Sequence, residues 1–399
     1  MIGHALLSPQ EQEVCDLIAQ RHEALLEDLK LHVGTPTGGG NLKAIERSRK
    51  LLTDRLHAIG ASTDLTPGDP KPEWLGSQLQ IPPSSLSSNL KPGLPAVLIA
   101  GHLDTVHDPD GPFRELTIAS DGKTATGPGC VDMKGGLVIT VAALEALAEV
   151  GAACSWSFFL NADEETGTYH SQRALREASA KHDFGLAIEP ALAGGELAIE
   201  RVGSGQFLVD VRGKAAHVGR AFTEGISAVT KLGEILVEIG KLPEPERGMV
   251  ANVGPITGGN AANAVPDHAT AFGNVRFPDQ AVADELGAKL DALATSGEAL
   301  PKVSVYRSFN RPAKPEIPPT RALAERAREV AETLGQQLPF ARTGGVCDGN
   351  IMQDAGLPTI DTLGVRGGGL HTPDEWIDLS SLVERCQLMA VLVMRLCQQ

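Results

Sequence analysis

The chain has 399 residues, 42% of them hydrophobic and 21% charged, an ordinary balance for a globular protein long enough to form two or three domains. Its net charge of −15 argues against nucleic acid and anionic membrane surfaces as partners. The opening residues MIGHALLSPQEQEV lack the basic start and apolar core of a secretory leader, no apolar run approaches the ~20 residues of a membrane helix, and six far-apart cysteines without a C-x-x-C pair read as reduced thiols of a cytoplasmic protein.

In chain order, Pro9 to about Lys30 reads as one amphipathic helix, followed by the glycine-rich turn VGTPTGGGN and a second helix from Leu42 to Ile59. Pro67 to Pro92, rich in Pro, Ser and Gly, reads as a surface loop. PAVLIAGHLDTV is a continuous apolar run ending in polar residues, the pattern of a buried parallel strand with a functional carboxyl end. MKGGLVITVAALEALAEVG is a strong helix former. SWSFFLNADEETG and LAIEP repeat the strand pattern, so this part reads as an α/β sheet with its site along the carboxyl edge.

From GQFLVDVRGKAAH onward the pattern changes. A strand is followed by a helix (Gly225 to Gly240), two strands (Met249 to Thr257, His268 to Phe277), a helix (Gln280 to Thr295) and a strand (Lys302 to Ser308). That β-α-β-β-α-β order predicts a ferredoxin-like unit. After NRPAKPEIPP the chain returns to α/β material: a helix from Thr320 to Leu334, the loop TGGVCDGN, a short strand PTIDTLG, His371 and a final helix. The division is therefore a discontinuous catalytic domain, 1–199 and 312–399, interrupted by an inserted domain at 200–311. The six cysteines, Cys15, Cys130, Cys154, Cys347, Cys386 and Cys397, are widely spaced and read as reduced thiols; Cys130 and Cys347 fall in candidate site loops.

The chemistry sits on short, glycine-punctuated turns: His102 in GHLDTV, Asp132 in GPGCVDMKGG, Glu165 in NADEETG, Glu189 in AIEP and His371 in GGGLHTPDE. Two imidazoles and three carboxylates suit zinc, with manganese or cobalt as alternatives. Five ligands exceed the needs of one catalytic zinc and match two ions sharing a carboxylate. Taken singly, each residue has an ordinary structural reading. His102 and Asp104 can be a satisfied pair, Asp132 a helix N-cap, and Glu164–Glu165 a solvated acidic turn. As a set, Asp104 is placed to hold the second ring nitrogen of His102. Glu164, pointing opposite to Glu165 on an extended chain, is free to act as a general base. In the inserted segment, His217, Asn263 and Arg276 are polar residues at loops or a strand, and Arg276 can bind a substrate carboxylate bidentately.

Together GHLDTV, GPGCVDMKGG, NADEETG, AIEP, GKAAHVGRA, NAANAVPD, TGGVCDGN and GGGLHTPDE resemble the di-zinc metallopeptidase family of aminoacylases, acetylornithine and succinyl-diaminopimelate deacylases and carboxypeptidase G-type glutamate carboxypeptidases. The motifs run in family order from about Val33 to Trp376. The resemblance implies a zinc-exopeptidase-like catalytic domain with a ferredoxin-like lid through which two chains dimerise. It implies one zinc on His102 and Glu189, another on Glu165 and His371, and Asp132 bridging them. Glu164 would be the base, Asp104 the partner of His102, and His217 an oxyanion donor to the neighbouring subunit's site. Asn263 and Arg276 would place the substrate.

Glu189, where the aminopeptidase-like members tend to carry Asp, favours cleavage next to a free carboxylate. GTPTGGG, NAANAVPD and TGGVCDGN are most similar to the carboxypeptidase G side. Asn274, Val346 and Cys347 depart from the common pattern at positions expected near the substrate. The expected activity is thus carboxypeptidase G-like hydrolysis of a small peptide or N-acyl amino acid. The alternatives are an N-acyl amino acid deacylase and a catalytically silent peptide- or metal-binding relative.

Overall fold

The central sheet has six strands in the order Ser62–Thr66, Ser84–Asn89, Trp156–Asn161, Val97–His102, Phe184–Ala187, Thr359–Ile360. They belong to a computed structural model that describes residues 6–76 and 80–398. The last four strands are parallel, and the first two are antiparallel additions at one edge. Every residue of Val97–His102 and Trp156–Asn161 is buried, as parallel strands covered on both faces require. Side chains alternate between two cores. Val97, Ile99, Phe158 and Leu160 face the cluster built with helices Pro9–Gln20, His22–Val33, Gly135–Glu149, Pro318–Thr333 and Ser380–Cys397. Leu98, Ala100 and Phe159 face the one built with Gln172–Ser179 and Asp348–Asp354.

Two expectations are corrected here. The first helix breaks at Arg21, whose backbone leaves helical values (φ −94°, ψ 14°), so that Val14 and Ile18 on one piece and Leu25 and Leu29 on the other reach the same core. The segment 67–92 is not all loop, because Ser84–Asn89 is an interior strand of the sheet. Its SSLSSN composition hides it: Ser88 Oγ lies 2.8 Å from Ser157 Oγ and Ser87 Oγ 2.8 Å from Thr63 Oγ1, while the buried Ser85 Oγ has no hydrogen-bond partner among the described residues.

A second, wholly antiparallel sheet has the order Val250–Gly258, His268–Phe277, Gly203–Arg212, Lys302–Arg311. With helices Ala228–Ile239 and Gln280–Asp291 it gives the ferredoxin-like arrangement, around a separate core of Phe207, Val209, Leu232, Leu286 and Leu290. Strict alternation of burial along His268–Phe277 sends Phe272, Asn274 and Arg276 to the face away from those helices.

The two strands joining this unit to the rest are clamped at their base. Arg201 and Lys314 exchange backbone hydrogen bonds of 2.9 and 3.0 Å. Both side chains also reach the fully buried Asp361, Arg201 Nη2 at 2.7 Å and Lys314 Nζ at 3.1 Å. The Asn350 amide donates to the carbonyls of both Val202 and Pro312. Among the described residues, no helix is long and apolar enough to cross a membrane.

Candidate metal centre

His102, Glu165 and Glu189 lie at or just beyond the carboxyl ends of parallel strands, Asp132 on the turn before the helix Gly135–Glu149, and His371 on the loop before the last helix. His102 ends its strand and is 1% exposed. Asp132 sits in the irregular turn Cys130–Lys134 that opens the buried helix Gly135–Glu149, with non-helical backbone (φ −117°, ψ 90°). The cap position of that helix is Lys134, two residues further on, so Asp132 is not its N-cap. Glu189 is two residues past Phe184–Ala187. A Cβ at Gly136 or at Gly364 would lie 2.6 Å from the carbonyl of Ile188, so both glycines let the chain close tightly around the residue before Glu189. His371 is held in left-handed conformation (φ 63°) at the open mouth of the site, its side chain 55% exposed.

The Asp132 carboxylate lies between the two imidazoles. Its Oδ1 is 3.2 Å from His102 Nε2 and its Oδ2 is 3.5 Å from His371 Nε2. Glu165 Oε2 lies 3.4 Å from the same His371 nitrogen. One donor atom each from His102, Asp132 and Glu165 falls within 4.8 Å of the others. On its far side His102 Nδ1 meets the Asp104 carbonyl at 2.9 Å and its carboxylate at 3.5 Å, while Asp104 Oδ2 accepts from the Glu165 amide at 3.0 Å. Asp104 thus ties two ligand loops together, and its carbonyl is the nearer partner of the imidazole.

Burial penalises every charge here, and the outcome depends on the neighbours. For Asp132 the two imidazoles outweigh burial and hold the carboxyl well below its usual range. For His102 burial is outweighed by Asp104 and Asp132, which raise it. For His371 the Asp132 contact lifts the imidazole to about 9. For Glu165 the attraction of His102 is outweighed: burial, with Asp132, Glu164 and Asp104 adding repulsion, pushes it up to about 8. Burial and Glu164 likewise raise Glu189.

Carboxylates crowded beyond what two imidazoles neutralise fit a divalent cation site. The buried Asp104 Oδ1 and Glu165 Oε1 also have no hydrogen-bond partner among the described residues. The mixed nitrogen and oxygen donors suit zinc, manganese or cobalt.

Glu164 stands apart from this donor set. Its Oε1 is 2.8 Å from Arg311 Nη2, which also hydrogen-bonds the Glu164 carbonyl at 2.9 Å; the two side chains are 11% and 4% exposed. Arg311, the last residue of the strand Lys302–Arg311, further approaches Asp348 at 3.7 Å. Sequence reasoning missed it. Its only signal is a basic residue where the inserted segment returns, in NRPAKP.

The residues expected from the inserted segment are not brought to this cluster. His217 is exposed, and its Nδ1 accepts from the Gly219 amide at 3.1 Å. Asn263 is exposed on the paired ribbon, its carbonyl accepting from the Val218 amide at 3.0 Å. Arg276 is half-buried and bonded to Ser204 Oγ. Among the described residues, no hydrogen bond or ion pair links any of the three to the five candidate ligands. Asn274 shares the face of Arg276, and Cys347 is buried at the start of the helix Asp348–Asp354.

The sequence pattern of Peptidase family M20/M25/M40 matches residues 98–395. Carboxypeptidase G2 of Pseudomonas sp. (strain RS-16) is 26% identical over 411 residues, covering 99% of this chain and 94% of that protein. The succinyl-diaminopimelate desuccinylase of Methylobacterium nodulans is 29% identical over 380 residues, covering 87% and 89%. Among solved structures, a tripeptidase from Staphylococcus aureus superposes with a TM-score of 0.75 at 22% identity, covering 95% of this chain and 99% of that one.

Proposed function

The chain belongs to Peptidase family M20/M25/M40, a family of metal-dependent hydrolases, and from that premise we propose that it cleaves an amide bond next to a free carboxylate in a small peptide or N-acyl amino acid. The observation that carries this reading is the Asp132 carboxylate, one oxygen toward each imidazole, as a bridge between two ions requires. His102 and Glu189 would hold one zinc and Glu165 and His371 the other. The similarity to carboxypeptidase G2 and the Glu at 189 support a carboxypeptidase. The similarity to the desuccinylase supports N-acyl amino acid deacylation as the second reading.

Bound divalent ions supply Lewis acidity to polarise the scissile carbonyl and to make water acidic. Glu164 takes the proton of the attacking water and delivers it to the leaving nitrogen. Arg311 holds one oxygen of Glu164, which leaves the other to carry that proton. His217 of a second chain donates to the developing oxyanion, and Asn263 and Arg276 orient the substrate carboxylate.

We read residues 200–311 as the lid and the dimerisation unit. Support comes from exposed Ile256 on its edge strand and Val229 and Val237 on the neighbouring helix, an apolar face suited to a second copy. The six buried free cysteines support a reducing, cytoplasmic setting.

Elemental analysis of metal-saturated protein, paired with a panel of dipeptides and N-acyl amino acids, tests the reading. Two ions per chain and turnover that disappears when the substrate carboxylate is amidated are expected. One ion or none, or equal cleavage of the amidated substrates, would overturn it. Within the panel, preference for a peptide or for a simple acyl group separates carboxypeptidase from deacylase.

A further inference from the structure

A buried carboxylate beneath the ligand set has no part in the chemistry above. Glu375 is 0% exposed and accepts from three backbone amides of the Asp132 turn. Its Oε2 takes Gly129 N at 2.9 Å, and its Oε1 takes Val131 N at 2.9 Å and Asp132 N at 3.0 Å. Oε2 also meets His107 Nε2 at 2.6 Å. His107 follows His102 on the loop leaving the strand Val97–His102, and Glu375 follows His371 on the last ligand loop.

One carboxylate therefore joins the loops carrying His102, Asp132 and His371. The turn it grips is tight. Gly129 has φ 68°, and a Cβ there would lie 2.6 Å from Thr105 Cγ2. The buried Lys134 ammonium, donating to the carbonyls of Thr35 and Pro128 at 3.0 and 3.1 Å, places a positive charge on the same turn.

We propose that Glu375 is a positioning residue for the metal centre: it fixes the backbone of the Asp132 turn so that the two Asp132 oxygens diverge toward His102 and His371, and it keeps those two loops in register. A bridging carboxylate tolerates little rotation, because turning one oxygen toward its ion turns the other away. Three amides on one buried acceptor, with a histidine from the adjacent loop, restrain that rotation at the backbone instead of at the side chain. The inference rests on the metal reading above and deepens it.

The test uses the full chain with Glu375→Gln, which keeps the volume but presents an amide NH2 to the backbone donors, and Glu375→Asp, which keeps the charged acceptor. Zinc affinity by chelator competition is expected to fall about 10–100-fold in Glu375→Gln, the range for a lost outer partner, with partial recovery in Glu375→Asp. The visible spectrum of the cobalt-loaded variants at saturation should change, reporting altered ligand geometry. In metal-free protein, hydrogen exchange of residues 129–132 should be slow in the wild type and fast in Glu375→Gln.

Wild-type affinity and cobalt spectrum in Glu375→Gln would overturn the proposal. So would affinity that falls only in proportion to a collapsed thermal midpoint. If wild-type protein takes up no ion, the functional reading fails, and the exchange measurement separately decides whether Glu375 holds the turn. Should Glu375→Gln not fold, His107→Phe removes one arm of the tie and leaves the three amides intact. A several-fold loss of zinc affinity is then expected, and no loss there or in Glu375→Asp counts against the proposal.

Discussion

The ligand turns of the parallel sheet and the polar residues of the inserted sheet represent opposite ways of building a site. His102, Asp132 and Glu165 are each fixed by contacts from at least one other loop, and the first two are 1% and 9% exposed. His217 and Asn263 sit in solvent on a short ribbon with only local backbone bonds, and Arg276 has a serine hydroxyl for its partner. The first region is held by contacts between loops, which fix its crowded charges in place. The second has spare donors and no internal use for them. Preorganised groups should govern metal content and chemistry, and the loose ones should act through substrate and partner.

The sharpest way to break that comparison is at Glu164, which belongs to the locked region without joining the donor cluster. Glu164→Gln keeps the shape and an acceptor for Arg311 while removing the base. Zinc content should stay at the wild-type level, and turnover should fall by ~10²–10⁴-fold, the range for general acid–base catalysis. Elemental analysis alongside single-turnover kinetics reads both. Near-normal turnover with both ions in place would assign proton transfer to another group.

The loose region is tested at His217. His217→Ala should leave zinc content unchanged and lower turnover by about 10²-fold, as for a lost oxyanion donor. If the histidine serves the neighbouring chain, mixing His217→Ala with Glu164→Gln should restore activity on subunit exchange, because one site of each mixed dimer then has both groups. Silence despite proven exchange would mean that each site is completed within its own chain.

This division also governs what the sequence disclosed. The turns that bring His102, Asp132, Glu165 and His371 together were legible because close backbone approach needs glycine, which leaves motifs such as GPGCVD and GGGLH. The ferredoxin-like order was legible because its strands and helices differ in hydrophobic period. Residues that act by long-range pairing were not. Arg311 reaches Glu164 across 147 positions and Glu375 reaches Gly129 across 246, and neither carries a local signature. The strand Ser84–Asn89 was missed for a related reason, since serines, two of them paired with neighbouring hydroxyls, replaced the apolar alternation that marks a strand.

Arg276 offers a smaller effect within the loose region. Its guanidinium is half-buried, and burial alone lowers its pKa, with no carboxylate among the described residues paired to it to offset the cost. A substrate carboxylate would supply that partner. Arg276→Ala should raise KM by roughly 10–100-fold, matching the ~1.5–3 kcal/mol of a charge-assisted hydrogen bond, with kcat and zinc content little changed. A fall in kcat at constant KM would place the arginine in the chemical step instead.

The smallest expected effect lies back in the locked region, at Asp104, where geometry limits what one substitution can remove. Its carboxylate touches both His102 Nδ1, at 3.5 Å, and the Glu165 amide, at 3.0 Å. The nearer contact to the imidazole is the Asp104 carbonyl at 2.9 Å, which any substitution retains. Asn at this position also keeps an oxygen for the Glu165 amide. Asp104→Asn should therefore weaken zinc binding by only ~10-fold, the low end for an outer partner, and leave turnover at saturating zinc close to normal. Chelator competition measures the first and steady-state kinetics the second. A loss approaching ~100-fold would mean that the carboxylate charge, and not the backbone carbonyl, holds His102 in place.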